Sequence, residues 1–460
     1  MPTPATYRVH SFERHWNNAP PGHKMFQDRV ERYDSLNGLF HAPTEYRYEP
    51  LGPIAVLQPD TGEIGRLFLE FVRGEFGAKS SRGECPETFR YEAPELISFR
   101  VLLKYVERCE SELVFSGLAS GIRRSQGTDM IAQIYELLSN PLLGNKDNRR
   151  IGLAEARALF EPLISEQKRI FFVVPGFPFK DQNPFRTNVP ASHVDIGEIA
   201  LLTRLHVLTI ALYQVHPFGV DWVVVSDGTT YAPILRISSE DVSEYQRQLR
   251  AYRDLLNIYG SVALLDLRQL CLHLGDANGE SIFDQSSRFV EGQLLTMVQQ
   301  SEAIKDAFRV LVRGIKWNMN YRDLIDSHKI DWSALWAVLN SEEECQVPEQ
   351  WRSIWKEFDD LAAKAALAYA ACNICIRLYD LYRILFPSSV RATTHAKPGQ
   401  VAIPMFGSAA PWNGVGIIGR GDISANAITV EPLYRASRHS ILRPKLLGSG
   451  QHPIGYEPLT

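Results

Sequence analysis

Residues 169–184 read RIFFVVPGFPFKDQNP. The first seven form a continuous β-branched and aromatic run, the pattern of a strand buried on both faces of a parallel sheet. The remainder is a polar corner holding prolines, Gly176, Lys180 and Asp181. DIGEIALLTRLHVLTIALYQV (195–215) then reads as a long helix, opened by Asp195 and Glu198 at the D-x-x-E spacing of a capping box. VDWVVVSDG (220–228) is a second strand. SSEDVSEYQRQLRAYRDLLNIY (238–259) is a helix with a Ser238…Asp241 start signal, and SVALLDL (261–267) is a third strand. Strands alternating with helices, joined by right-handed crossovers, predict a Rossmann-like α/β core built on a parallel, doubly wound sheet.

Around this core the chain divides into five stretches. Residues 1–65 are rich in Pro, Tyr, His and Arg with little periodicity and read as an extended arm. Residues 66–165 are a helical N-terminal part, with ELISFRVLLKYVERCESELVF (95–115), GTDMIAQIYELLSN (127–140) and residues 151–166 as its helices. The core follows over 166–277. Residues 278–387 are a helical insert whose longest element is expected from Trp351 to Phe386. Residues 388–460 supply short C-terminal strands (VRATTHA, QVAIPMF, NGVGIIG) that complete the core, a hairpin at GIIGRG, and a turn-rich tail over the last twenty residues.

The bulk numbers exclude several classes. Of the 460 residues, 45% are hydrophobic and 22% charged, with a net charge of −4, so no basic stripe points to nucleic acid. The six cysteines are scattered and form no disulfide framework, which predicts a reducing, cytoplasmic setting. The N-terminus lacks an apolar signal core, and no apolar run is read as a membrane span. The histidines show no H-x-x-x-H pair, and Cys372-x-x-Cys375 sits alone inside a helix, so no metal is expected. There is no P-loop, no G-x-G-x-x-G and no G-x-S-x-G.

In an open parallel sheet, ligands bind beyond the carboxyl ends of the strands. The loop carrying Lys180 and Asn183 and the turn Ser226-Asp227-Gly228 should therefore share one rim. The helix starting at Asp195 should offer its N-terminus there, suited to an anion. Each feature also has a plain structural reading. A Pro-rich loop can be a simple corner, Asp195 and Glu198 a helix cap, and SDG a tight turn. Arg204 and His206 fall inside an apolar helix, where a buried histidine is usually a satisfied core residue. Arg123 and Arg124 precede a helix, where they would grip a phosphate or form a solvated pair.

The order PGFPFKDQNP, VDIGEIALLTRLHVL, VVVSDG, then FPSSVRATTHAKPGQVAIPMF and APWNGVGII, resembles the isonitrile (isocyanide) synthase family, also called the pyoverdine/dityrosine biosynthesis family. The similarity runs from about Leu118 to Ile418. It implies conversion of the α-amino group of an amino acid, aromatic or otherwise hydrophobic, to an isonitrile. Ribulose 5-phosphate supplies the carbon, and no metal or organic cofactor is required. The amine condenses with the C2 ketone to an imine, and enolisation, phosphate loss and carbon–carbon cleavage follow. Under this resemblance Lys180, Glu198, Asp227 and His395 are the proton-transfer candidates. Asn183, Arg186, Asp195, Arg204, Ser226, Arg391 and Trp412 are candidates for binding substrate or phosphate. A pathway iron/2-oxoglutarate oxygenase is an implied partner, and an extended arm is a common way to clasp a second subunit in a homodimer. The chain departs from the family pattern at K-D-Q-N, at Pro233 where an acid is usual, at TTHAK, and at Asn413 where a histidine is usual. Alternatives are an N-formyl amino acid or another product on the same scaffold, and a non-catalytic binding protein.

Overall fold

The computed structural model describes residues 59–76, 89–114, 129–216, 218–256, 258, 262–272, 282–386, 389–394, 396–420, 424–438, 440–448 and 450–459. His395, Arg123, Arg124 and all but the end of the expected N-terminal arm lie outside the described residues. The strands are β1 (Glu95–Ile97), β2 (Ile170–Pro175), β3 (Val220–Ser226), β4 (Val262–Asp266), β5 (Val390–Thr393), β6 (Val401–Ala402), β7 (Val415–Ile418), β8 (Ile428–Glu431), β9 (Leu442–Leu447) and β10 (Pro453–Pro458). The helices of eight residues or more are α1 (Thr61–Glu75), α2 (Phe99–Arg108), α3 (Met130–Ser139), α4 (Leu153–Ser165), α5 (Ile196–Tyr213), α6 (Ser239–Leu255), α7 (Ile282–Gln300), α8 (Glu302–Lys316), α9 (Trp332–Asn340) and α10 (Arg352–Leu378).

The expected parallel sheet is present, in the order β4-β3-β2-β5-β6, with every neighbouring pair parallel. β2 pairs with β3 from Ile170↔Val220 to Pro175↔Val225. Alternate residues of the run feed opposite cores. Val173, Val223 and Val225 join the core under α1, α7, α8 and α10, while Phe172, Val174, Trp222 and Val224 join the core around α5. This is why the strand sequence is apolar throughout rather than alternating. A second sheet, order β1-β9-β10-β7-β8, covers the far side of α5. The layers are therefore helical bundle, parallel sheet, central helix and mixed sheet.

Every residue of α5 is buried, because it is wedged between the two sheets. A helix apolar all round belongs in such a position. Its threonines are satisfied locally: Thr203 and Thr209 donate to the carbonyls of Ile199 and Leu205 at 2.8 and 3.0 Å. His206 meets Glu110 at 2.9 Å.

Several expectations need correction. Glu95–Ile97 is a strand paired in parallel with β9, and the helix begins only after Ser98. The 351–386 helix breaks at Asp380, which sits in the left-handed region at φ 43°. The last twenty residues form two paired strands, and β10 is an interior strand of the second sheet. β7 and β8 do pair antiparallel, as the hairpin reading required, and with β10 they build a separate sheet instead of extending the parallel one. Among the described residues, two helices are long and apolar enough to cross a membrane by length and composition. α5 is one, fully buried here, and the stretch Glu349–Leu378 is the other, more than half buried.

Candidate active site

The corner after β2 is built from its own hydrogen bonds. Asn183 N–H donates to Asp181 Oδ1 at 2.8 Å, Phe185 N–H to Asn183 Oδ1 at 3.0 Å, and Asn183 Nδ2 to the Trp317 carbonyl at 3.0 Å. Arg186 pairs with Asp181 at 2.5 Å and with Asn318 at 2.7 Å, and lies 5.6 Å from the Trp317 ring. Phe177 turns the chain at φ 55°, a conformation that costs a bulky residue energy and persists where the surroundings impose it. Its carbonyl accepts from Ser226 Oγ at 3.0 Å. Gly228 completes the contact, since a Cβ there would lie 2.1 Å from the Pro178 carbonyl oxygen. The β2 corner and the SDG turn are thus locked together at the carboxyl rim.

Lys180, Asp195 and Glu198 are brought together, but inside the protein rather than at the mouth of a site. All three are buried. Lys180 Nζ lies 2.9 Å from both Glu198 oxygens and from Asp195 Oδ2, and donates to the Pro411 carbonyl at 2.8 Å. Tyr245 Oη donates to Glu198 at 3.1 Å. The capping box forms, and Gly416 N–H also donates to Asp195 at 3.0 Å. The expected open helix N-terminus for an anion is therefore closed by the chain's own acids. Burial alone would lower the Lys180 pKa; Asp195 and Glu198 outweigh it and hold the ammonium charged. Burial, and then the charge of Asp195, push Glu198 well above the usual carboxylate range. Asp195 stays low: burial opposes ionisation, but Lys180 and the hydrogen bonds outweigh it.

Beside this sealed cluster is a recess of about 170 Å³ at the rim, lined by Asp181, Asp227, Tyr231, Tyr369, Trp412 and Asn413 among others. Asp227 lies at the end of β3 with its carboxyl pushed up to about 7. Burial is the main cause and the charge of Asp266 adds to it, while Arg391 opposes. Asp266 ends β4 opposite Ser226 and is held by Thr229 at 2.8 Å and Gln246 at 3.0 Å. Trp412 reaches the recess because residue 176 is glycine: a Cβ there would meet the indole at 2.7 Å. The Trp412 carbonyl accepts from Asp181 N–H at 2.8 Å.

The other sequence candidates separate. Ser226 and Asn183 are buried ties of the rim. Arg391 lies under the rim on β5, level with Val173. Arg204 is a correction: it projects from the middle of α5 to the carbonyls of Leu142 and Ala425 and to Asn426, because a buried guanidinium must find acceptors, and it is not part of the recess. Asn413 does line the recess. Sequence reasoning missed Asp181, Asp266, Tyr231 and Tyr369. Asp266 ends the third predicted strand and was findable by the same rim rule; Tyr369, inside a long helix, carried no signal. No group of three or more metal-ligating side chains occurs among the described residues.

Comparison with known proteins bears on the family of this chain. The profile of the pyoverdine/dityrosine biosynthesis protein family matches residues 161–417. The L-tryptophan isonitrile synthase AmbI1 of Fischerella ambigua is 28% identical over 127 residues, 28% of this chain and 39% of that protein. The isocyanide synthase xanB of Aspergillus fumigatus is 35% identical over 95 residues, 20% of this chain and 12% of that protein. The matched stretches thus span well under half of either relative. The crystal structure of the PvcA protein from Pseudomonas aeruginosa superposes with a TM-score of 0.49 at 18% identity, covering 72% of this chain and all of that one.

Proposed function

Because this chain belongs to the pyoverdine/dityrosine biosynthesis family, we propose that it is an isonitrile-forming enzyme. It joins the α-nitrogen of a hydrophobic amino acid to a carbon from ribulose 5-phosphate. The observation that carries this reading is Asp227: a carboxyl at the carboxyl rim of the parallel sheet, facing a recess, with a pKa near 7. Imine formation and enolisation each need a group that takes and returns a proton near neutrality. Asp227 fills that role, since both of its protonation states are populated there. Trp412, Tyr231 and Tyr369 supply aromatic walls for a hydrophobic side chain, and the Asp181–Arg186 ion pair supplies a polar edge.

Lys180, Glu198 and Asp195 act as positioning residues in this scheme. Lys180 bonds the Pro411 carbonyl, one residue before Trp412, and so fixes one wall of the recess.

The test is incubation of the purified protein with ribulose 5-phosphate and a pool of amino acids, read by mass spectrometry. Gain of one carbon with loss of two hydrogens identifies an isonitrile and names the substrate. Gain of carbon and oxygen identifies the N-formyl product instead. No mass change in any amino acid overturns the proposal.

A further inference from the structure

Two arginines lie close to the recess, Arg391 beside Asp227 and Arg377 beside Tyr231. Arg377 lies on α10 and Arg391 on β5. Arg391 shares its register position with Val173, whose side chain faces the helical bundle, so both arginines belong to the space between the sheet and α10. Each guanidinium lies over an aromatic ring, Arg377 5.4 Å from the centroid of Phe71 and Arg391 4.9 Å from that of Tyr382. Phe71 is 6.2 Å from Tyr369, which is 4.6 Å from Tyr231, so these rings continue into the wall of the recess.

Neither guanidinium has a hydrogen-bond or ion-pair partner among the described residues, and Nε of Arg391 is buried without an acceptor. Several other interior cations among the described residues are held by acids. Lys180 has its two acids, Arg169 has Asp221 at 2.5 Å, Arg186 has Asp181, and Lys316 has Asp359 at 2.6 Å. The nearby acid Glu75 is paired with Lys397 at 3.3 Å. Burial pulls the pKa of Arg377 down; the charges of Glu75 and Glu70 oppose that fall, and the like charge of Arg391 adds to it.

We propose that Arg377 and Arg391 form a binding site for the phosphate monoester dianion of the sugar phosphate. The naming of the ligand rests on the reaction proposed above. Two planar guanidinium forks match the geometry of phosphate oxygens, and together they balance two negative charges, where a carboxylate would balance one. The rings beneath them leave the N–H edges free and fix their planes. Burial keeps the hydroxyls of Tyr231 and Tyr382 protonated, and so able to donate to an anion. The sugar chain would then extend from the arginines toward Asp227, where the ketone carbon meets the amine.

The experiment is isothermal titration of the full chain with inorganic phosphate and then with ribulose 5-phosphate, comparing wild type with Arg377→Ala, Arg377→Lys and Arg391→Lys. Arg383→Ala, an exposed residue of the short helix after α10, is the control. Loss of charge-assisted hydrogen bonds should weaken binding about tenfold or more in Arg377→Ala. The lysine variants, which keep charge but lose the fork, should fall between, and the control should match wild type. If Arg377→Ala does not fold, the lysine variants carry the test. Wild-type affinity in the folded Arg377 and Arg391 variants, or no phosphate binding to the wild type, overturns the site. The two readings fail separately. Arginine-dependent sugar phosphate binding with no product keeps the site and sinks the reaction. Isonitrile formation with an unchanged KM for ribulose 5-phosphate in Arg377→Lys keeps the reaction and sinks the site.

Discussion

Lys180→Met tests whether the buried cluster positions the recess or performs the chemistry. The substitution keeps the aliphatic stem and removes an ammonium group held by two carboxylates and the Pro411 carbonyl. Asp195 is left as a buried charge without its counterion. Breaking a buried pair from one side costs about 3–5 kcal/mol, a large share of the roughly 5–15 kcal/mol that typically separates folded from unfolded chains. The melting temperature should fall by about 3–5 °C. Asp195→Asn keeps a good N-cap while removing the stranded charge, so the double variant Lys180→Met/Asp195→Asn should recover part of the loss, with a coupling of about 0.5–3 kcal/mol. Thermal and urea unfolding of the four proteins gives the cycle, and turnover is measured on the folded fraction. A Lys180→Met protein that melts with wild type yet is inactive would refute the positioning role and make Lys180 a catalytic group.

Asp227 has a folded pKa near 7 against an ordinary 3.8, so the folded state binds its proton more tightly. That stabilisation is complete below the unfolded value and is lost as pH rises through about 7. Asp227→Asn should therefore gain stability relative to wild type at alkaline pH, by at most about 4 kcal/mol, in urea titrations across the pH range, and should lose the limb of the turnover profile near pH 7. Asp266→Asn removes the second cause of that high pKa, and should move the same limb toward the ordinary carboxylate range while leaving turnover at its optimum within about tenfold. Gly228→Ala places a methyl against the Pro178 carbonyl and should cost more than about 2 kcal/mol. Gly292→Ala, in open space on the exposed face of α7, should stabilise by about 0.5–1 kcal/mol. Gly176→Ala should displace Trp412 and raise KM for the amino acid with little change in melting temperature; unchanged kinetics would remove Trp412 from the binding wall.

The core was legible because its signals are local. An unbroken apolar run ending at Pro175 and Ser226 states that a strand is covered on both faces, and D-x-x-E states where α5 begins. The rim rule placed Asp227 at the site, and its proton-transfer role came with the family resemblance. The second sheet was not legible. β1 is three residues long, and β9 and β10 carry Pro444 and Pro453, which read as turns until a partner strand supplies the pairing. The burial of Lys180 was hidden for a related reason: its partners come from residues 195, 198, 245 and 411, and no local pattern says that a lysine's counterions will enclose it. Arg377 and Tyr369 sat within a helix whose polar positions look like any solvated face.

The wedged position of α5 also has a consequence for synthesis. The helix emerges early, with every side suited to burial, yet β10, which lies between β9 and β7 in its outer cover, is made from Pro453 to Pro458. At roughly 5–20 residues per second, the interval from Tyr213 to Pro458 is on the order of 10–50 s. Throughout it the nascent chain carries an apolar rod that has no second wall. Production of this protein should therefore depend on holding factors that act at the ribosome, and slowing translation after residue 213 should increase aggregation rather than relieve it.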